Sequence, residues 1–151
     1  MDEAMKTKQI KQDGVNAFRV LVVEDNEADR CLAMAMLVDA WPFAHDLVMD
    51  CANDGADTLK KLRTHRFDLV VLDWMLPTIG GAQVLRAIRQ DGHPLPVVVL
   101  SGLQREQIDE DLVTLGAAFL HKDQMSAESF CEAISTSLSL MGRSNPLPKK
   151  L

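Results

Sequence analysis

The sequence predicts an α/β domain in which five parallel strands alternate with five helices. Three observations carry this. The runs VLVV (20–23), LVVL (69–72) and VVVL (97–100) are continuously apolar, as strands buried on both faces are, and do not alternate as half-exposed strands do. Stretches of helical spacing lie between the runs, closed by glycine or proline. The length of 151 residues suits one domain with a full core.

The elements follow in order. Residues 1–17 are polar, without a clear period, and read as an N-terminal arm. Strand 18–24 (FRVLVVE) leads to a helix over 26–40, with Asn26 as N-cap and Ala28, Leu32, Ala35 and Met36 at helical spacing. WPF at 41–43 breaks it. Strand 46–52 precedes a helix at 53–65 with Ala56, Leu59 and Leu62 on one face. Strand 68–73 (DLVVLD) runs into the loop MLPTIGG, then a helix at 82–92 closed by Gly92. Strand 94–100 precedes a helix at 104–116, stopped by Gly116. Strand 117–120 and a helix at 126–141, with Phe130, Ala133, Ile134 and Leu138 on one stripe, complete the domain at 18–141. A short basic tail, 142–151, follows.

Composition narrows the function classes. Hydrophobic content is 47% and charged content 25%, ordinary for a globular domain. No stretch is apolar for long enough to span a membrane, and the N-terminus has no signal-peptide h-region, so a cytoplasmic protein is expected. Cys31, Cys51 and Cys131 are odd in number and far apart, which predicts small buried hydrophobes, not a metal site or a disulfide framework. Residues 18–141 carry 19 acids against 10 bases, a net −9, which argues against nucleic acid as partner.

The strand ends carry the chemistry. Strand one stops on Glu24 and Asp25, strand three on Asp73, strand four on Ser101, and strand five is followed by His121 and Lys122. In an open parallel sheet, ligands sit beyond the carboxyl ends of the strands at a topological switch point. The flavodoxin-like order 2-1-3-4-5, a doubly wound (βα)5 fold, puts that point between strands one and three and so gathers the three carboxylates at one mouth. Each residue alone reads as a helix cap, a turn or a solvated charge. Together they form three acids, a hydroxyl and an ammonium. Clustered carboxylate oxygens suit Mg²⁺, which takes few protein carboxylates and completes its shell with water and phosphate oxygen.

VLVVEDN, DLVVLDWMLPTIGG, VVVLSG and AAFLHKD, with 48 residues from Asp25 to Asp73, 28 on to Ser101 and 21 on to Lys122, resemble the receiver domain of a two-component response regulator over residues 18–141. The resemblance implies that Asp73 takes a phosphoryl group from a phosphohistidine on a sensor histidine kinase or a histidine phosphotransfer protein. It implies Mg²⁺ held by Asp25, Asp73 and the backbone carbonyl of Met75, with Glu24 acting directly or through water. Lys122 would neutralise charge on the transferring group, and Ser101 would hydrogen-bond a phosphoryl oxygen. Phe119 would swing inward behind Ser101 as a switch, moving the face of the fourth helix, fifth strand and fifth helix. That face is the family's usual signalling surface and the expected site of any homodimer.

The sequence departs from the family pattern in four places. Glu24 stands where Asp is commoner, Asp123 replaces the frequent proline after Lys122, Gly80 replaces a frequent Asp, and Phe119 lacks a tyrosine's hydroxyl. Trp74 is expected to pack in its loop, His121 to be a solvated neighbour of Lys122, and Asp123 to offset part of the lysine charge. His45, His65 and His93 are assigned to loops, and Met34, Met36, Met49 and Met141 to packing. With no further module after residue 141, the expected function is a stand-alone receiver that signals to a downstream protein by direct contact. The alternative is a pseudo-receiver, a scaffold that keeps the fold without the phosphorylation. An aspartate-nucleophile phosphohydrolase commonly needs a second aspartate two residues on, where this chain has Met75. A dinucleotide carrier lacks its G-x-G-x-x-G after strand one.

Overall fold

A computed structural model describes residues 17–41 and 46–143. Most of the expected arm and tail, and residues 42–45 with His45, lie outside them. The elements are β1 (Ala17–Val23), α1 (Glu27–Ala40), β2 (Asp46–Ala52), α2 (Gly55–Thr64), β3 (Leu69–Asp73), α3 (Gly81–Gln90), β4 (Val97–Ser101), β5 (Ala117–His121) and α4 (Ala127–Leu140). Two 3-10 turns, Arg105–Gln107 and Lys122–Gln124, flank β5. The strands form one parallel sheet in the order β2-β1-β3-β4-β5, the flavodoxin-like order.

Both faces of the sheet are covered, and alternate residues of each strand feed opposite cores. Val20 and Val22 join α1 and α4 in one core, built around Phe130, Ile134 and Leu138. Leu21 and Val23 join α3 in the other, with Val84, Leu85 and Ile88. Part-buried Leu59 and Leu62 of α2 pack against this second core. Side chains of Val20–Val23 in β1 and of all of β3 and β4 are therefore buried whichever way they point, which is why those runs are continuously apolar.

The caps match the sequence logic. Asn26 Oδ1 accepts the Asp29 amide at 2.9 Å and starts α1. Asp54 and Ser126 cap α2 and α4 in the same way. Gly92, at φ +72°, closes α3 in the left-handed conformation.

Three expectations need correction. The segment 104–116 is not an α-helix. It makes the 3-10 turn at Arg105–Gln107 and then turns, so four α-helices accompany five strands among the described residues. Its local polar groups compete for the backbone: Asp111 accepts from the Thr114 amide at 3.2 Å and hydroxyl at 2.8 Å, and the Arg105 guanidinium donates to the carbonyls of Ile108 and Glu110. Ile108 and Leu112 still bury, so the apolar spacing was real and only the backbone differed. The buried stripe of α1 is Ala33 and Leu37, one position on from the expected set, and Leu32 is 46% exposed. Cys31 is exposed and Cys51 and Cys131 are half-buried, so the cysteines are free thiols but not core residues.

Candidate functional site

The site lies where β1, β3, β4 and β5 end. Glu24 follows β1, and its amide still bonds to the Ala52 carbonyl at 3.1 Å, extending the ladder by one residue. That pairing pins a carboxylate under the mouth of the sheet, where it is only 2% exposed. Asp25 is exposed at the rim. Asp73, the last residue of β3, is 2% exposed, and its Oδ1 accepts the Met75 amide at 3.1 Å. Carboxylate oxygens of Glu24, Asp25 and Asp73 lie within 4.8 Å of one another.

Lys122 opens the 3-10 turn after β5 and reaches across this cluster. Its Nζ stands 2.9 Å from Glu24 Oε2, 3.4 Å from Asp73 Oδ2 and 3.4 Å from Asp29 Oδ2. Burial works to lower the lysine's pKa, but the Glu24 hydrogen bond and the charges of Asp73, Glu24 and Asp29 outweigh it and hold the ammonium above its usual range. Burial raises Glu24 from 4.5 to about 7, with Asp73 adding to the rise and the Lys122 and Asn26 hydrogen bonds opposing it.

The loop that carries Asp73 is held from behind. Gly81 opens α3 and donates its amide to the Trp74 carbonyl at 3.1 Å. A Cβ on Gly81 would lie 2.7 Å from Trp74 Cα and 2.9 Å from the Asp73 carbonyl oxygen, so only glycine lets the helix approach so closely. Trp74 is buried against this contact, in the packing role expected of it. Thr78 takes φ 64°, a left-handed conformation that a β-branched residue rarely adopts, within the same loop.

Ser101 is the last residue of β4 and fully buried, and its Oγ accepts the Leu103 amide at 2.9 Å. Phe119 is half-buried against the second core. The structure thus brings Glu24, Asp25, Asp73 and Lys122 into one cluster and puts Ser101 on the neighbouring strand end.

Three further residues belong to the neighbourhood. Asp29 is a third partner of Lys122. Only its position three residues past the Asn26 cap, on the first turn of a helix that starts at the mouth, could have flagged it. The Arg30 guanidinium donates to the Glu24 carbonyl at 3.1 Å and to Asn53 Oδ1 at 2.9 Å, tying the β1 and β2 ends together. His121 is buried, not solvated: it ends β5, in register with Ser101 of β4, and both its ring nitrogens lie against polar groups of the chain. The Asp123 side chain is 91% exposed and lies 3.9 Å from His121 Nδ1, while the carboxylates that pair with Lys122 are Glu24, Asp73 and Asp29.

The donor set fits Mg²⁺. Lys122 pairs with Glu24, Asp29 and Asp73, Asp25 joins Glu24 and Asp73 in the cluster, and these three offer only hard oxygen ligands.

The family model of the response regulator receiver domain matches residues 20–135. The protein-glutamate methylesterase/protein-glutamine glutaminase of Treponema denticola is 33% identical over 127 residues, covering 82% of this chain and 33% of its own. Response regulator MprA of Mycobacterium ulcerans is 32% identical over 102 residues, covering 67% of this chain and 40% of its own. The chain therefore spans less than half the length of these two relatives. Among solved structures, response regulator TrrA of Thermotoga maritima, determined in complex with Mg²⁺-BeF, superposes with a TM-score of 0.68 at 25% identity, covering 80% of this chain and 99% of that one. Fold, strand order and family match agree, and the chain belongs to the response regulator receiver domains, the phosphorylation modules of two-component signalling.

Proposed function

We propose that Asp73 is the phosphoacceptor of this receiver and that Glu24, Asp25, Asp73 and the Met75 carbonyl form its Mg²⁺ site. The observation that carries this reading is the Lys122 ammonium bridging Glu24 at 2.9 Å and Asp73 at 3.4 Å beside a cluster of three acids. A scaffold has no use for a buried carboxylate on each of two strand ends with one ammonium between them, because burying charge costs free energy that only function or pairing offsets.

Receiver domains as a family take phosphoryl groups from kinases or phosphotransfer proteins and bind Mg²⁺ in an acidic pocket. Here an Asp73 carboxylate oxygen attacks phosphorus in line. The P–O bond to Asp73 forms as the P–N bond to the donor's imidazole breaks, and the leaving nitrogen keeps the electron pair, so that a donor ring protonated on its other nitrogen departs as neutral imidazole. The Met75 amide fixes the orientation of the Asp73 carboxylate. Lys122 sets its charge beside the equatorial oxygens, and the Ser101 hydroxyl donates to one of them once the group has transferred. When bound, Mg²⁺ supplies the remaining neutralisation of charge on the phosphoryl oxygens. Phe119 responds behind Ser101. The signal leaves by protein contacts, to a downstream protein or a second copy, through the face made by residues 104–116, β5 and α4, where Val113 is 65% exposed. The donor is a sensor histidine kinase or a histidine phosphotransfer protein. The net −9 of the domain argues against nucleic acid as partner. No helix among the described residues is long and apolar enough to cross a membrane. Three free thiols favour a reducing, cytoplasmic setting.

The test is incubation with acetyl phosphate, with and without Mg²⁺, followed by intact mass. A gain of one phosphoryl group that needs Mg²⁺ and disappears in Asp73→Asn is the expected result. No gain by a folded wild-type protein would overturn the reading in favour of the scaffold.

A further inference from the structure

We propose that His121 is a positioning residue for phosphoryl transfer, latched through Gln104 so that the Ser101 loop and the Lys122 turn are held as one unit. This rests on the reading of Asp73 as phosphoacceptor.

The latch is built from four contacts. Ser101 and His121 end adjacent strands and face each other in the β4–β5 register. The Asp123 amide donates to His121 Nδ1 at 3.0 Å, so the ring caps the 3-10 turn that begins with Lys122. The other ring nitrogen, Nε2, lies 3.3 Å from Nε2 of the Gln104 carboxamide. On the far side, the Leu103 amide, one residue before Gln104, donates to Ser101 Oγ at 2.9 Å. The chain of contacts therefore runs Ser101, Leu103, Gln104, His121, Asp123, and Lys122 lies within the last link.

The chemistry assigns the proton. An amide hydrogen directed at Nδ1 requires a lone pair there, so the neutral ring carries its hydrogen on Nε2; Gln104 takes that hydrogen on Oε1 when its carboxamide is turned to exchange oxygen and nitrogen, the orientation this network selects. Both ring nitrogens are thus used, as expected of a polar side chain that is only 5% exposed. The hydroxyl that would donate to a phosphoryl oxygen is the one that accepts from Leu103. The ammonium that would meet the same group stands on the turn that His121 caps. Movement at either loop is carried to the other, and onward to the 104–116 segment, which Arg105 ties to the Ile108 and Glu110 carbonyls.

A purely structural histidine would need only the turn cap. Two variants separate the roles. His121→Asn keeps an acceptor for the Asp123 amide but cannot reach Gln104. Gln104→Ala removes the partner from an exposed position and leaves the core intact. The measurement is the rate of phosphorylation against acetyl phosphate concentration at saturating Mg²⁺, for both variants and the double variant, with amide hydrogen exchange of residues 122–124 in parallel. The latch predicts a maximal rate lower by about 3- to 10-fold in each variant, the range of one net hydrogen bond. It also predicts unchanged half-saturation by donor, a double variant no slower than the slower single, and faster exchange at 122–124 in Gln104→Ala. Wild-type rates and exchange in Gln104→Ala and His121→Asn, beside an active wild type, would overturn the latch alone. A folded wild type that takes up no phosphoryl group would overturn the phosphoacceptor reading and the positioning role with it.

Discussion

Replacing Lys122 by methionine removes the ammonium and keeps the stem. A unit charge pair at the Lys122–Asp73 separation of 3.4 Å is worth about 5 kcal/mol at an effective dielectric of 20. The lysine side chain is 23% exposed, so water screens part of that, and only the charge that develops during transfer counts toward the rate. A loss of about 10²- to 10³-fold in the phosphorylation rate is expected, the range for removing one preorganised donor from a charge-stabilising site. The sign of a second effect makes the test sharp. Without the ammonium, Glu24, Asp25, Asp29 and Asp73 present a more negative pocket, so Lys122→Met binds Mg²⁺ more tightly while reacting more slowly. Because the ammonium's pKa is held above its usual range, its contribution is intact at neutral pH and is lost only as pH rises past the ordinary lysine value of about 10.4. The ammonium therefore keeps its charge throughout the neutral range. Intact-mass time courses give the rate, and Mg²⁺ titration of Trp74 fluorescence in a Trp41→Phe background gives the affinity. A rate within about threefold of wild type, or weaker Mg²⁺ binding, would refute the assignment of Lys122 to the reacting charge.

Other perturbations test other parts of the site. With Glu24 raised to about 7, the folded metal-free protein holds a proton that the unfolded chain releases, so its stability falls as pH climbs from about 4.5 to 7. Urea midpoints in chelator at about pH 5 and about pH 8 measure that slope, and Glu24→Gln should flatten it. Gly81→Ala pushes a methyl group into the Asp73–Trp74 backbone and should cost about 1–3 kcal/mol in thermal unfolding. A Gly81→Ala melt like that of wild type would mean that α3 can retreat from the loop.

Much of the architecture was legible because both sheet faces are covered. Uninterrupted runs such as Val97–Leu100 could only be central strands, and the carboxylates that ended two of them stood out as unexplained charge. The 104–116 segment shows the limit of that reasoning. Ile108 and Leu112 keep a helical spacing, yet Asp111 and Arg105 satisfy the backbone locally and the chain turns. Periodicity reports which side chains bury and leaves open how the intervening backbone makes its hydrogen bonds. In α1 the spacing of small and apolar residues fitted two neighbouring stripes, and the packing partner, α4, chose the one through Ala33 and Leu37.

The sequence by itself marked the strands, and so put the three acids, Ser101 and Lys122 at strand ends, because continuous apolar runs show where each strand stops. Only the tertiary structure decided that Asp29 shares the lysine and that His121 is buried against Gln104. Those facts depend on contacts between residues 17 to 93 positions apart, and on the direction a side chain takes once its strand has neighbours on both sides. No local pattern encodes either, because they arise when the sheet closes.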